Sequence, residues 1–208
     1  MSTRLQMASG LPLAVAVERG RERGPASGSV QVLLVSGSTR RLSVNTAVLR
    51  TAALAPPQGV VAPLLDTLGL LPAFNPDDDH DPLPAAVADL RTRLAAADAV
   101  LFCTPEYAGG LPGSFKNLLD WTVGGGELHG KPVAWITVAA EGRGDGARMS
   151  LATVLGYVGA QVVVGACASV PVSSSAIGAD GLVEDPGVRA AISDSLRLIA
   201  DAVRTPGG

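Results

Sequence analysis

Residues 36–45 read Ser36-Gly37-Ser38-Thr39-Arg40-Arg41-Leu42-Ser43-Val44-Asn45, which puts four hydroxyls, one amide and two guanidiniums into ten positions. The stretch follows the aliphatic run at 30–35. It precedes Val44, Ala47, Val48, Thr51 and Ala52, whose i, i+3, i+4, i+7, i+8 spacing marks one face of a helix. It is therefore a strand-to-helix loop, in which hydroxyls and helix-start N–H groups face one point with the positive end of the helix dipole behind them. Arg40 adds a fork of donors suited to phosphate oxygens. A phosphate in such a cup gains about 1.5–3 kcal/mol per charge-assisted bond. An ordinary capped loop needs one hydroxyl, with Ser43 as the N-cap, and the other groups exceed that need. Neither GxGxxG nor GxxxxGK[ST] occurs, so the loop is not a dinucleotide fingerprint or a P-loop.

Two further segments could meet a flat ligand. Thr104-Pro105-Glu106-Tyr107-Ala108-Gly109-Gly110-Leu111-Pro112-Gly113-Ser114 has prolines that fix its shape and glycines that let backbone approach closely. Its amides can bond the polar edge of a ring system while Tyr107 covers an apolar edge; a rigid surface turn is the plainer alternative. Ala139-Ala140-Glu141-Gly142-Arg143-Gly144-Asp145-Gly146 has the same permissive glycines and on its own reads as a flexible turn.

The elements that must position these loops alternate along the chain. Val30-Gln31-Val32-Leu33-Leu34-Val35 suits a parallel strand covered on both faces. Pro56-Pro57 stops the helix that follows. Further strands are expected at 60–65, 99–103, 132–138 and 161–165. Helical stripes run through Val87, Leu90 and Leu94, through Leu151, Val154, Leu155 and Val158, and through Ile192, Leu196, Ile199 and Val203. A short helix capped by Ser114 runs to about Thr122. Strands alternating with helices imply right-handed crossovers and a parallel sheet. With five strands the expected fold is an α/β flavodoxin-like three-layer sandwich of strand order 2-1-3-4-5. Ligands then bind beyond the carboxyl ends of strands 1 and 3, where the three loops emerge.

Composition bounds the partners. The chain has 208 residues, enough for one domain spanning 29–205 behind an extension at 1–28 that is expected to be disordered; no internal repeat or second domain is evident. Net charge is −3 with no basic block, which argues against nucleic acid as a partner. No stretch reaches the roughly 18–20 apolar residues of a membrane span. Cys103 and Cys167 match no metal or CxxC spacing, Cys103 reads as a buried small hydrophobe, and a cytoplasmic location is expected. His80 and His129 are isolated, and Asp77-Asp78-Asp79-His80-Asp81 lacks the spacing of a calcium loop. No Ser-His-Asp, Cys-His or paired-carboxylate set is present, so no catalytic side chain is nominated.

Taken together, two motifs resemble the NADPH-dependent FMN reductase family, with its chromate- and quinone-reducing members. The family's G-S-x-R-x-x-S-x-N stands here as Gly37-Ser38-Thr39-Arg40-Arg41-Leu42-Ser43-Val44-Asn45. Its P-E-Y, P-G, K-N and D-W stand as Pro105-Glu106-Tyr107, Pro112-Gly113, Lys116-Asn117 and Asp120-Trp121. The similarity covers about 30–165. It implies that Ser38, Thr39, Arg40, Ser43 and Asn45 hold an FMN phosphate. Pro105, Glu106, Tyr107 and Ala108 would line the isoalloxazine, largely through backbone, and Ala140, Glu141 and Gly142 would close the other edge. Where the family often has Asn after the Tyr and Ser two residues later, this chain has Ala108 and Gly110; Ala139 and Ala140 stand where Ser often opens the third loop.

The resemblance implies an oxidoreductase using FMN, with NADPH or NADH as co-substrate, acting on a small-molecule electron acceptor: a flavin, quinone, azo compound or metal oxyanion. Hydride would pass from nicotinamide C4 to flavin N5, the cofactor carrying the chemistry. Donor and acceptor using one ring face in turn implies ping-pong kinetics. A homodimer or homotetramer is expected. The alternatives are a non-enzymatic FMN electron carrier and a flavin-binding interaction domain. Arg143 and Arg148 are candidates for a cofactor phosphate.

Overall fold

Residues 32–36 are all buried because the strand they form, β1 (Val30–Ser36), runs through the middle of a sheet covered on both sides. The computed structural model describes residues 28–65 and 67–205; the expected extension at 1–28 lies, but for Gly28, outside them. Side chains alternate across β1. Val32 and Leu34 pack with Val48 and Leu49 of α1 (Val44–Leu54) and with Ile192, Leu196 and Ile199 of α5 (Pro186–Arg204). Leu33 and Val35 face Leu90 and Leu94 of α2 (Ala85–Ala96), Phe115 and Leu118 of α3 (Gly113–Asp120), and Leu151 and Leu155 of α4 (Asp145–Tyr157). The result is the three-layer sandwich expected.

Among the described residues, the strands of the sheet all pair in parallel. β1 is flanked on one side by β2 (Val60–Val61) and β3 (Leu64–Leu65). On its other side lies β4 (Ala99–Cys103), in register from Val32↔Ala99 to Ser36↔Cys103. β4 pairs with β5 (Pro132–Thr137), which pairs with β6 (Gln161–Val162) and β7 (Ala168–Ser169). The five lanes follow the flavodoxin-like order 2-1-3-4-5, but each outer lane is broken into two short strands. The continuous strand expected at 60–65 is interrupted at Ala62-Pro63. Proline has no N–H to give the ladder, although its carbonyl still accepts from Leu34 N at 2.8 Å. The strand expected at 161–165 ends at Val162. The chain turns at 164–166 and rejoins β5 at β7, a segment too short to show a period.

Local signals explain the helix ends. Ser43 Oγ accepts from Thr46 N, capping α1 as expected. At α3 the expectation of a Ser114 cap is corrected. Phe115 N and Lys116 N both bond Pro112 O, so the helix starts earlier and Ser114 lies inside its first turn. Lys116 pairs with Asp120 at 2.5 Å, and Trp121 is fully buried.

Residues 67–83, a connection with little regular structure, are pinned to α3. Asn117 Oδ1 accepts from Phe74 N at 2.7 Å, and its Nδ2 donates to Pro72 O at 2.8 Å. Trp121 Nε1 donates to the same carbonyl at 2.9 Å, with Phe74 edge-on to its ring. The Asn and Trp of the second motif thus hold a loop. Of the acidic run 77–81, Asp79 turns inward to pair with Arg91 at 2.7 Å. Lys131, buried, donates to the carbonyls of Leu94 and Ala97 at the end of α2.

Glu127 sits 3.6 Å from Arg91, with Oε2 buried and lacking a partner. Burial pushes its carboxyl above the usual range, and Asp79 adds to the rise. The Glu127 backbone, Arg91 and Lys131 oppose it. A carboxyl raised in the folded state favours folding below its unfolded value of 4.5. That contribution is lost as pH rises through the folded value. Glu127→Gln is therefore expected to flatten the acid side of the stability profile and to gain most on the wild type at neutral pH. Urea midpoints at several pH values check this; parallel profiles would contradict it.

Candidate functional site

The carboxyl ends of β1, β4 and β5 release the three loops on one edge of the sheet. In the first, the chain's own hydroxyls set the shape. Ser36 and Thr46 share a hydrogen bond of 2.8 Å, Ser38 N donates to Ser36 Oγ, and Arg40 N donates to Ser38 Oγ. Asn45 is buried, and its Oδ1 accepts from the Cys103 thiol at 3.3 Å, tying the start of α1 to the end of β4. Burial raises the Cys103 thiol far above the usual range, so it is an inert core group. Gly37 lies so close to the second loop that an added Cβ would sit 2.2 Å from Thr104 Oγ1.

Thr39, Arg40 and Arg41 are exposed on the loop's outer side. There, with Ser38, they line a cleft of about 370 Å³ whose other walls are Thr46 and Arg50 of α1 and the turn Leu68-Gly69-Leu70. Arg50 and this turn were not legible as site residues. Arg50 is one of many exposed helix positions, and the turn belongs to a connection without periodicity.

The second loop folds back at a tight turn. Tyr107 N donates to Gly110 O at 3.0 Å, and Gly110 N returns to Tyr107 O at 3.1 Å. Ala108 (φ +51°) and Gly109 (φ +75°) make the corner, so Ala108 occupies the left-handed region that suits Asn or Gly. Tyr107 is exposed beside it, and Pro105 and Glu106 are half-buried. Ala108→Asn is expected to raise the unfolding free energy by about 0.5–1 kcal/mol, since the amide is at ease there. Urea unfolding checks this, and a loss of stability would contradict it.

The third loop makes a turn closed by Arg143 N to Ala140 O at 3.0 Å, with Ala140, Glu141 and Gly142 exposed at its tip. It is clasped to the second. Glu106 Oε2 accepts from Ala147 N at 3.1 Å, placing a carboxylate at the positive end of α4, where Gly144 offers no side-chain cap. An added Cβ at Gly146 would lie 2.1 Å from Gly109 O, so backbone packs on backbone there. The Glu106 contact was missed because nothing local links residues 41 apart; the bare helix start at Gly144 was the one available hint. Arg148 pairs with Asp145 at 3.0 Å.

Comparisons with known proteins bear on the family of the chain. Residues 30–174 match the model of the NADPH-dependent FMN reductase family. A Pseudomonas aeruginosa protein named NAD(P)H-dependent FMN reductase is 40% identical over 124 residues, 59% of this chain and 66% of that relative. The chain thus spans a little under two thirds of that relative's length. An Escherichia coli quinone reductase is 32% identical over 142 residues, 66% of this chain and 75% of the relative. The solved structure of FerB, a flavoenzyme NAD(P)H:(acceptor) oxidoreductase from Paracoccus denitrificans, superposes with a TM-score of 0.70 at 30% identity, covering 85% of this chain and 98% of its own. With its two motifs on adjoining loops and the family model matched over residues 30–174, the chain belongs to the NADPH-dependent FMN reductase family.

Proposed function

We propose that the chain is an FMN-dependent NAD(P)H oxidoreductase that delivers electrons to a small acceptor. The observation that carries this reading is the convergence of a cationic cleft with two loops of close-packed backbone on one sheet edge. The donor chemistry fits the cofactor. Ser38, Thr39 and Arg40 offer hydroxyls and a guanidinium to a phosphate, and Ser43 and Asn45 hold the loop that carries them. Pro105, Glu106, Tyr107 and Ala108 present backbone and one aromatic ring to a flat ligand, and Ala140, Glu141 and Gly142 border it from the other side. FMN, when bound, supplies the hydride chemistry.

The chain's own task is positioning. The Glu106 contact and the Gly109–Gly146 packing fix the gap between the second and third loops. The small residues Ala108, Ala139 and Ala140 leave the gap open on the side a nicotinamide or acceptor approaches. Donor and acceptor share that approach in turn, which gives ping-pong kinetics. Quinones, flavins, azo compounds and metal oxyanions are the acceptor class, as the relatives' names suggest for quinones and flavins.

The assembly we infer is a homodimer or homotetramer. Met149, Ala152, Gly156 and Tyr157 put an exposed, mostly apolar stripe on α4 that a second copy would cover. Cys103 and Cys167 are both free, which suits a cytoplasmic location. No described helix is long and apolar enough to cross a membrane.

The test is to mix purified protein with FMN, a quinone and either NADPH or NADH, and to follow nicotinamide oxidation. Catalytic turnover supports the proposal. A yellow protein inert to both nucleotides would make it an electron carrier, and a chain that takes up no FMN would overturn both readings.

A further inference from the structure

We propose that Asn117 is a positioning residue for the cofactor phosphate: with Trp121 it braces the far wall of the cationic cleft and so sets the cleft's width. The proposal rests on the reading of this cleft as the FMN phosphate site. The near wall, from Ser38 to Arg41, carries hydroxyls and guanidiniums, whereas the far wall, Leu68-Gly69-Leu70, offers no polar side chain. That wall still decides how much water reaches the anion, and a charge-assisted bond strengthens as neighbouring groups displace water. The two walls are close: a Cβ added at Gly69 would lie 3.9 Å from Thr39 Cγ2. Local bonding does not fix the far wall. It is one turn of 3-10 helix closed by Leu70 N to Thr67 O at 2.9 Å, too short to hold its own place.

The turn is fixed from its two ends. Upstream, Leu65 of β3 pairs with Val35 of β1. Downstream, Asn117 uses both ends of its amide on the chain just past the turn, accepting from Phe74 N at 2.7 Å and donating to Pro72 O at 2.8 Å. Trp121 Nε1 gives Pro72 O a second bond at 2.9 Å, and Phe74 packs edge-on to the indole. Asn117 and Trp121 are four residues apart, so they share one face of α3. Further down the chain, the next polar tie to another element among the described residues is Asp79 on Arg91. Loss of the brace thus lengthens the span between anchors, and a longer span has more conformations to lose when the cleft is occupied. α3 also backs the near wall, since its Phe115 ring would lie 3.0 Å from a Cβ at Gly37. Leu68 of the far wall is buried in the same cluster as Phe115. Both walls of the cleft therefore take their position from α3, Phe115 serving one and Asn117 the other.

The experiment titrates wild type, Asn117→Ala and Trp121→Phe with FMN and with riboflavin, followed by flavin fluorescence. Of the two flavins only FMN places an anion in the cleft. Asn117→Ala should therefore lower the preference for FMN over riboflavin at least fivefold, with riboflavin affinity within twofold of wild type. Trp121→Phe, which removes the N–H and keeps a ring, should lower it by less. Ile199→Val, in the α5 layer on the opposite face of the sheet, costs stability without touching the brace and should leave the preference within twofold. An unchanged preference in Asn117→Ala, an equal loss for both flavins, or the same fall in Ile199→Val would overturn the proposal. If wild type binds both flavins equally or neither, the reading beneath the proposal fails by itself. Calorimetry with inorganic phosphate on the flavin-free chain then decides the brace. The phosphate Kd should rise at least fivefold in Asn117→Ala; an unchanged Kd, or no phosphate binding by wild type, would overturn it.

Discussion

Gly37→Ala is expected to lower stability by about 1–3 kcal/mol, the usual cost of overpacking a tight contact, and to weaken FMN binding at least tenfold. The new Cβ would lie 2.2 Å from Thr104 Oγ1, 2.5 Å from Thr104 Cβ and 3.0 Å from the Phe115 ring. Rotating Thr104 cannot relieve this, because its Cβ is itself too close. Nor can the first loop retreat freely, since Gly37 N donates to Cys103 O at 2.9 Å, the last link between the first and second loops' strands. The clash therefore separates the two loops that must share one ligand. In a domain of this size the loss corresponds to roughly 2–4 °C in Tm per kcal/mol. Thermal unfolding and an FMN titration check the single variant. The double variant Gly37→Ala/Thr104→Gly removes both close atoms and should regain most of the stability. An unchanged Tm in the single variant would mean that the loops are not packed as described.

Arg40→Ala should reduce FMN affinity at least tenfold and leave the fold intact. Arg40 is exposed, and its side chain holds nothing else in place, so stability should change by no more than about 0.5 kcal/mol. A single charge-assisted bond contributes about 1.5–3 kcal/mol, and 1.4 kcal/mol is already tenfold. Because the contact is ionic and open to water, the loss should shrink in high salt. Fluorescence titration of both proteins at low and high salt checks this. Equal affinities would remove Arg40 from the phosphate cup.

The sequence made the scaffold legible where burial leaves a simple pattern. β1 and β4 are apolar at nearly every position because helices cover both faces, and α1 shows its stripe and its Ser43 cap. The edges were harder. Pro63 breaks the second lane, and the two residues of β7 carry no period. In the site, composition marked all three loops, because hydroxyls with arginines, prolines with glycines, and alternate glycines are each unusual.

What composition could not supply was direction. Asn45 turns inward to a thiol 58 residues away, Glu106 reaches a helix start in another loop, and Arg50 resembles any solvated helix position until folding brings the Leu68-Gly69-Leu70 turn to the same cleft. Each is a contact between segments far apart in sequence, decided by packing of the sheet rather than by local propensity.

The central claim is that the serine- and arginine-bearing turn after β1 binds the cofactor by its phosphate. The most direct measurement is a titration of the wild-type protein with FMN and with riboflavin, which differ only in that group. Two charge-assisted bonds lost at about 1.5 kcal/mol each predict FMN binding roughly a hundredfold tighter or more. Equal affinity for the two flavins would contradict the account.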